Sequence, residues 1–199
     1  MKQIANRYSI TDLVKLTYFV IRSKLIAKSI RLIRFPIEIR GKNWIDFGKQ
    51  LTTGYWCRLE AFHFESGNGQ IIFGSNVQIN DFVHISSLDS VRIGDNVLIA
   101  SHVYISDNSH GFYKGDMKDC SPEIPPALRE YNVAPVSIGN NVWIGEGVIV
   151  LPGVTIGNGS IIGAHSVVNR NIPENCIAVG SPARVIKRFN KETGYWEKE

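Results

Sequence analysis

The sequence predicts an all-β chain wound into a parallel β-helix, with an amphipathic helix in front of it. Three observations predict this fold. Between about residues 47 and 173, aliphatic or aromatic residues recur at every sixth position. Glycine stands directly after them in eight cases. Residues 10–34 set apolar side chains three and four apart among basic ones. A short fixed period marks a solenoid, in which each repeat buries its face only against its neighbours. An ordinary β-sandwich would alternate with period two instead. The 199 residues are 44% hydrophobic and 20% charged, which is a globular composition of about one domain's length.

Residues 1–42 form a basic segment. They hold ten Lys or Arg, including Lys2 and Arg7, against Asp12 and Glu38; this is a net +8, so the rest of the +4 chain carries −4. That asymmetry argues against a nucleic-acid-binding domain and for a local anionic partner such as a phospholipid surface. Within the segment, Leu13, Leu16, Val20, Ile21, Leu25, Ile26, Ile30 and Ile33 fall at helical spacing across residues 10–34. Ser9, Thr11 or Asp12 can cap its start, and Pro36 closes it. The stripe can pack on the first turn of the prism that follows, or face lipid with its flanking Lys and Arg on anionic headgroups.

The β-helix occupies residues 43–186. Its hexads open at Phe47, Thr53, Leu59, Phe73, Ile79, Ile85, Ile93, Ile99, Ile105, Ile138, Ile144, Val150, Ile156, Ile162 and Val168, and only Thr53 among them is polar. Three hexads make one turn of a triangular prism, with Gly and Asn at the tight, sometimes positive-φ corners. Five turns at ~4.8 Å spacing stand roughly 24 Å tall. Small excesses between residues 59 and 73 and between 85 and 93 are corner loops. Residues 106–135, with Pro122, Pro125, Pro126 and Pro135, are an extended excursion. Residues 187–199 are a polar tail.

Cys57, Cys120 and Cys176 show neither CxxC nor zinc-finger spacing, which points to a reducing compartment without disulfide or structural metal. No apolar run of ~18 residues and no signal-peptide pattern occur. The expected location is cytoplasmic, peripheral on the inner face of the membrane if the basic helix meets lipid.

The segments Ile93-Gly-Asp-Asn-Val-Leu-Ile-Ala, His110, Val136-Ser-Ile-Gly-Asn-Asn-Val-Trp-Ile-Gly145, Pro152-Gly-Val-Thr-Ile-Gly157 and Gly180-Ser-Pro-Ala-Arg184 resemble the hexapeptide-repeat acetyltransferases. The resemblance is to their maltose/galactoside acetyltransferase branch and its bacterial polysaccharide O-acetyltransferase relatives, and it covers about residues 70–188. It implies a left-handed parallel β-helix with hexapeptide repeats, a homotrimer, acetyl-CoA as co-substrate, and an active site between two neighbouring prisms. It does not extend to the first forty residues, where the acidic sugar-binding residue of the family's helical cap has no match.

An alcohol is a poor nucleophile until a base takes its proton, and histidine suits that task at neutral pH. His110 stands where the chain leaves the prism and matches the family's catalytic histidine; Asn80 matches its acceptor-binding asparagine. Trp143, at an outward hexad phase, becomes a wall of the acetyl-CoA groove. Backbone N–H groups around Gly145 and Glu146 are the expected oxyanion donors. The resemblance also carries Ala164, Asn169, Arg170, Arg184 and Lys187 to cofactor positions, and the three cations suit the phosphates of CoA. Glu146 stands where the family often has a small residue, so contact there would be through backbone. A γ-class carbonic anhydrase site would need three convergent imidazoles, and His63, at a fifth position that can point inward, with His84, His102 and His165 at other phases, does not supply it. The expected activity is acetyl transfer to a sugar hydroxyl of a surface-polysaccharide precursor, lipid-linked or free. The alternatives are N-acetylation of an amino-sugar nucleotide, or a non-catalytic scaffold.

Overall fold

The computed structural model describes residues 8–64 and 67–199, so Lys2 and Arg7 of the basic segment lie outside the described residues. Three parallel sheets form the faces of a prism, and each coil of chain visits them in one order, here called A, B and C. Face A holds Thr52–Thr53, Gln78–Ile79, Leu98–Ile99, Trp143–Ile144, Ile161–Ile162 and Cys176–Gly180. Face B holds Ile37–Arg40, Cys57–Ala61, His84–Ser87, Tyr104–Ser106, Ile149–Val150 and Val167–Val168. Face C holds Ile45–Asp46, Gln70–Phe73, Ser90–Ile93, Val136–Ile138 and Thr155–Ile156.

The hexad openers stack in register inside the prism. On face B, Leu59, Ile85, Ile105, Val150 and Val168 succeed one another. On face A the column is Thr53, Ile79, Ile99, Ile144 and Ile162. All of these are buried, and each aliphatic member contributes roughly 1.5–3 kcal/mol by leaving water. Thr53, the polar exception, is also buried and satisfies its hydroxyl by donating to the Gly54 carbonyl at 3.1 Å.

The prism has six coils rather than five, because the first begins inside the basic segment. Ile33 and Ile39 are six apart and take up the column positions next to Thr53 and Leu59, through the Leu32–Thr52 bridge and the Ile39–Leu59 pair. The helix is correspondingly shorter than the 10–34 stripe and spans Ile10–Ile26. Ile30 and Ile33 satisfy a helical spacing and a hexad phase alike, and burial in the prism decides between them; both are fully buried. Ser9 is the N-cap, with Asp12 closing a reciprocal capping box.

One side of the helix packs on the corner between faces A and B of the first two coils. Phe19 is buried with its ring 5.5 Å from Phe35 and 6.1 Å from Tyr55, and the Ser23 hydroxyl accepts from the Ile33 N–H at 2.7 Å. The other side leaves Ile10, Leu13, Val14, Tyr18, Ile21 and Leu25 exposed. The C-terminal residues are not a loose tail: Ala183–Asn190 and Tyr195–Lys198 extend face A as an antiparallel hairpin, held by the Phe189 and Trp196 rings 5.4 Å apart.

Glycine plays a different part from the one its sequence position suggested. At the second hexad position it mostly avoids positive φ and instead permits contact between coils: a Cβ on Gly74 would stand 2.4 Å from Asp95 Oδ1 and 2.7 Å from the Gly94 carbonyl carbon. The left-handed conformation belongs to the fourth position. Nine non-glycine residues there hold φ between +55° and +61°. Gln50, Asn76, Asn96, Asn141 and Asn175 do so at the corner between faces C and A, and Trp56, Phe82, His102 and His165 at the A–B corner.

Gly74→Ala should therefore destabilise the fold by ~2 kcal/mol through overpacking, whereas Asn141→Gly, at a position already left-handed, should change stability by less than about 0.5 kcal/mol. Urea denaturation of both variants checks this, and equal losses would contradict the division of roles.

Candidate functional site

Every departure from the hexad rhythm sits at the corner between faces B and C. The first is the turn Lys42–Trp44, the second a small hairpin of His63–Phe64 with Gly67–Asn68, the third the bulge at Ser87–Asp89 and the fourth the excursion that carries His110, while the last coil is two residues short there, from Val168 to Ile172. The excursion is rooted by Asp107, a fully buried carboxylate. It accepts from the Ser87 hydroxyl at 2.8 Å, from the Leu88 and Asp89 N–H groups at 2.8 and 2.9 Å, and from the Asn108 amide at 3.0 Å. A buried charge is tolerable only when hydrogen-bonded to this degree.

Beyond Asp107 the excursion is an antiparallel stem, Asn108–His110 against Tyr131–Val133, rather than extended coil. The stem leaves His110 exposed, with its ring 4.7 Å from that of Tyr131. The Tyr113 hydroxyl donates to the His110 carbonyl at 2.7 Å, and Arg129 donates to that hydroxyl at 2.7 Å and to the Ile124 carbonyl at 2.8 Å. Asp107, Tyr113 and Arg129 were not legible as site residues in the sequence, because no spacing ties them to His110.

The A–B corner gathers a second set. At two corners the N–H of a third hexad residue is accepted by the side chain at the same position one coil later. At the A–B corner Asp81 takes the Tyr55 N–H at 2.7 Å, and at the C–A corner Asn140 takes that of Asp95 and Asn158 that of Asn140, both at 2.7 Å. Glu146 follows the rule by reaching back to the Ser101 N–H at 3.1 Å, which is how a long acid fits there. The residue one coil after Glu146 is Ala164, which has no oxygen to offer. The Glu146 N–H therefore has no acceptor among the described residues, while those of Gly145 and Gly147 are used between coils, on Ile162 and Ser101. The expected donors around Gly145 and Glu146 thus narrow to one.

Trp143, half-exposed on face A, begins an outward row that runs through Ile161 and Ile177 to Lys187, with Arg184 opposite Val179 in the same hairpin. Asn80 is exposed on the A–B corner two coils before Glu146, and its side chain has no partner among the described residues. Its carbonyl accepts from the Cys57 thiol at 3.1 Å, and burial pushes that thiol up to about 11, so it is not a nucleophile.

The ten candidates therefore divide. Asn80, Trp143, Gly145, Glu146, Ala164, Arg184 and Lys187 belong to face A and the A–B corner. His110 stands on the B–C excursion, and Asn169 and Arg170 follow the last face B strand at that same corner. Face B separates the two sets, by on the order of 15 Å for a side of about five extended residues.

The other histidines do not converge. His63 is exposed and stacks on Trp44 at 4.5 Å rather than pointing inward. His102 and His165 share the fourth hexad position, and among the described residues no three His, Cys, Asp or Glu side chains gather as a metal site. His84 lies on face B, 2.7 Å from the buried Glu60, which also binds Arg58 at 2.9 Å and Arg40 at 3.2 Å. Burial works to raise the Glu60 carboxyl, but the hydrogen bonds and charges of Arg58 and His84 outweigh it and hold it below the usual carboxylate range.

On acidification, the unfolded chain takes up this proton first, near pH 4.3, so the stabilisation present at neutral pH is lost as the pH falls through the lowered folded value. Glu60→Gln should cost about 2 kcal/mol at pH 7 and flatten the acid limb of the stability profile. Denaturant midpoints between pH 3 and pH 7 check this, and parallel profiles for the two proteins would contradict it.

Comparison with known proteins places this geometry. Residues 135–170 match the family model described as bacterial transferase hexapeptide (six repeats). The chain is 46% identical over 196 residues, 98% of each partner, to the Escherichia coli K12 protein named as a lipopolysaccharide biosynthesis O-acetyl transferase, WbbJ. It is 40% identical to the galactoside O-acetyltransferase of the same organism, across 82% of this chain and 77% of that one. Among solved structures, galactoside acetyltransferase in complex with coenzyme A superposes with a TM-score of 0.54 at 27% identity, covering 98% of this chain and 80% of that one. The Bacillus cereus N-acyltransferase AntD, at 23% identity and a TM-score of 0.69 over 94% and 92%, shares the fold. With near-full-length identity at this level, the chain belongs to the hexapeptide-repeat acetyltransferases: it is a left-handed parallel β-helix enzyme that takes its acetyl group from acetyl-CoA.

Proposed function

We propose that the chain acetylates a sugar hydroxyl of a bacterial surface-polysaccharide precursor, with His110 as general base, in a homotrimer whose active sites lie between neighbouring prisms. The observation that carries this reading is the division of the site: His110 stands on one edge of the prism and the acyl-donor residues on another. Packing the B–C edge of one protomer against the A–B edge of the next would unite them. The identities of 46% and 40% to proteins named for O-acetyl transfer favour a hydroxyl over an amine as acceptor.

The residues present fit an acyl-CoA, since the unpartnered Glu146 N–H, the half-exposed Trp143 and the cations Arg184 and Lys187 lie along one edge and face. Bound acetyl-CoA supplies an activated acyl thioester. The chain supplies the rest. His110 accepts the proton of the attacking hydroxyl. The Glu146 N–H is placed to donate to the developing oxyanion. The Trp143 indole excludes water, and Arg170, Arg184 and Lys187 anchor phosphate charge.

His110→Ala should lower kcat at least ~10²-fold, with acetyl-CoA affinity little changed. Transfer of label from acetyl-CoA to glycan, together with calorimetry, measures both; an unaltered kcat in a folded protein would remove His110 from its role.

Among the described residues no helix is long and apolar enough to cross a membrane. The helix Ile10–Ile26 nevertheless turns an apolar face outward, flanked by Lys15, Arg22 and Lys24. This supports peripheral contact with anionic lipid, where each basic residue adds ~1 kcal/mol and three copies act together. The protein should float with anionic but not neutral liposomes, and Leu13→Asp with Ile21→Asp, both at exposed sites, should abolish flotation while leaving the melting temperature unchanged. Flotation unaffected by the double substitution would remove the membrane contact.

A further inference from the structure

The stem that carries His110 pairs only Asn108, Ser109 and His110 with Val133, Asn132 and Tyr131. A two-stranded ladder of that size is marginal by itself, and a base misplaced by ~1 Å can lose roughly 10²-fold in rate. Holding the His110 main chain therefore takes more than the ladder. The N–H that follows it, that of Gly111, continues the ladder to the Glu130 carbonyl at 2.7 Å. The His110 carbonyl has its partner elsewhere, in the Tyr113 hydroxyl at 2.7 Å.

The backbone is shaped for this hydrogen bond. Gly111 is buried at φ +88°, and a Cβ on it would stand 2.7 Å from Tyr113 Cζ, so the tyrosine can cross the chain only because the residue beneath it has no side chain. Tyr113 is fixed in turn from two sides. On one, the Cys120 N–H donates to the Phe112 carbonyl at 2.9 Å, and Asp119 accepts from the Lys114 and Gly115 N–H groups at 2.8 and 2.9 Å. On the other, Arg129 Nη1 donates to the Tyr113 hydroxyl at 2.7 Å, while its Nε and Nη2 hold the carbonyls of Ile124 and Pro122 at 2.8 and 3.3 Å. A guanidinium offers these donors in one rigid plane. Because the hydroxyl accepts from Arg129, its own proton is directed to the His110 carbonyl. Tyr113 is 57% exposed, so its hydrogen bonds rather than its burial give it a role.

We propose that Tyr113 and Arg129 are positioning residues for acetyl transfer. They lock the peptide that follows His110, and the imidazole, 4.7 Å from the Tyr131 ring, is thereby held where an acceptor hydroxyl gives up its proton. This rests on the reading of His110 as general base. The acyl-donor residues of the same chain stand elsewhere, on face A and the A–B corner. The pair therefore acts on kcat, and only through His110.

The test measures CoA thiol released from acetyl-CoA by the full chain, with methyl β-galactoside as acceptor. Tyr113→Phe keeps the ring and removes the hydroxyl; it should lower kcat about tenfold and leave the melting temperature and the calorimetric affinity for acetyl-CoA unchanged. Arg129→Lys keeps the charge without the planar fork and should lose as much. In a His110→Ala background, Tyr113→Phe should cost less than about twofold more, since nothing remains to be positioned. Hydrogen exchange at the Gly111 amide should quicken in both single variants. An unchanged kcat in Tyr113→Phe, full activity in Arg129→Lys, unaltered exchange at Gly111, or a further tenfold loss in the His110→Ala background would each overturn the assignment while leaving His110 as base. No thiol release by the parent, or equal release by His110→Ala, would refute the base reading itself and the assignment with it.

Discussion

Hydrogen bonding from coil to coil, at a repeat of ~4.8 Å, is the constraint on which the rest of the molecule depends. At that spacing eight of the second hexad positions are held to glycine, and even one carbon at Gly54 would lie 2.5 Å from the backbone of the next coil. The chain must then turn within a few residues, which forces the fourth position into left-handed backbone. The inward column of aliphatics follows once these two conditions are met, since each coil superposes on the last with no freedom of register. The functional groups inherit the same discipline, and are spaced by the backbone rather than by their own packing.

Glu146 illustrates how chemistry is cut from a structural rule. Third-position side chains tie down the N–H groups of the preceding coil at one corner after another. Placing Ala164 above Glu146 withholds the acceptor there and leaves its N–H without a partner among the described residues. A donor held by a sheet on both sides undergoes little reorganisation when charge develops nearby, which is the condition for electrostatic stabilisation. The long Glu146 side chain, bound to Ser101, stays clear of that donor.

The prism itself was legible because a hexad period leaves few alternative folds, and the columns through Ile79, Ile99 and Ile144 follow it residue for residue. The first coil was not, because Ile30 and Ile33 obey two periodicities and only burial separates them. His110 could be singled out by its place at the exit from the repeat. Asp107 and Arg129 could not: their roles depend on which coil faces which, and on carbonyls at Pro122 and Ile124 that carry no signal in residue type.

All four insertions leave the prism at the B–C corner, and the chain returns each time to the register it left. A coil can therefore lengthen at that edge by two residues or by more than twenty without moving a single inward aliphatic. The two remaining edges have no such licence, since their turns are fixed by left-handed residues that admit no extra length. Growth in such a molecule is confined to one margin: loops there can be exchanged, lengthened or trimmed while the other two edges keep the geometry of the coil, so that the surroundings of His110 can change without the fold being invented again.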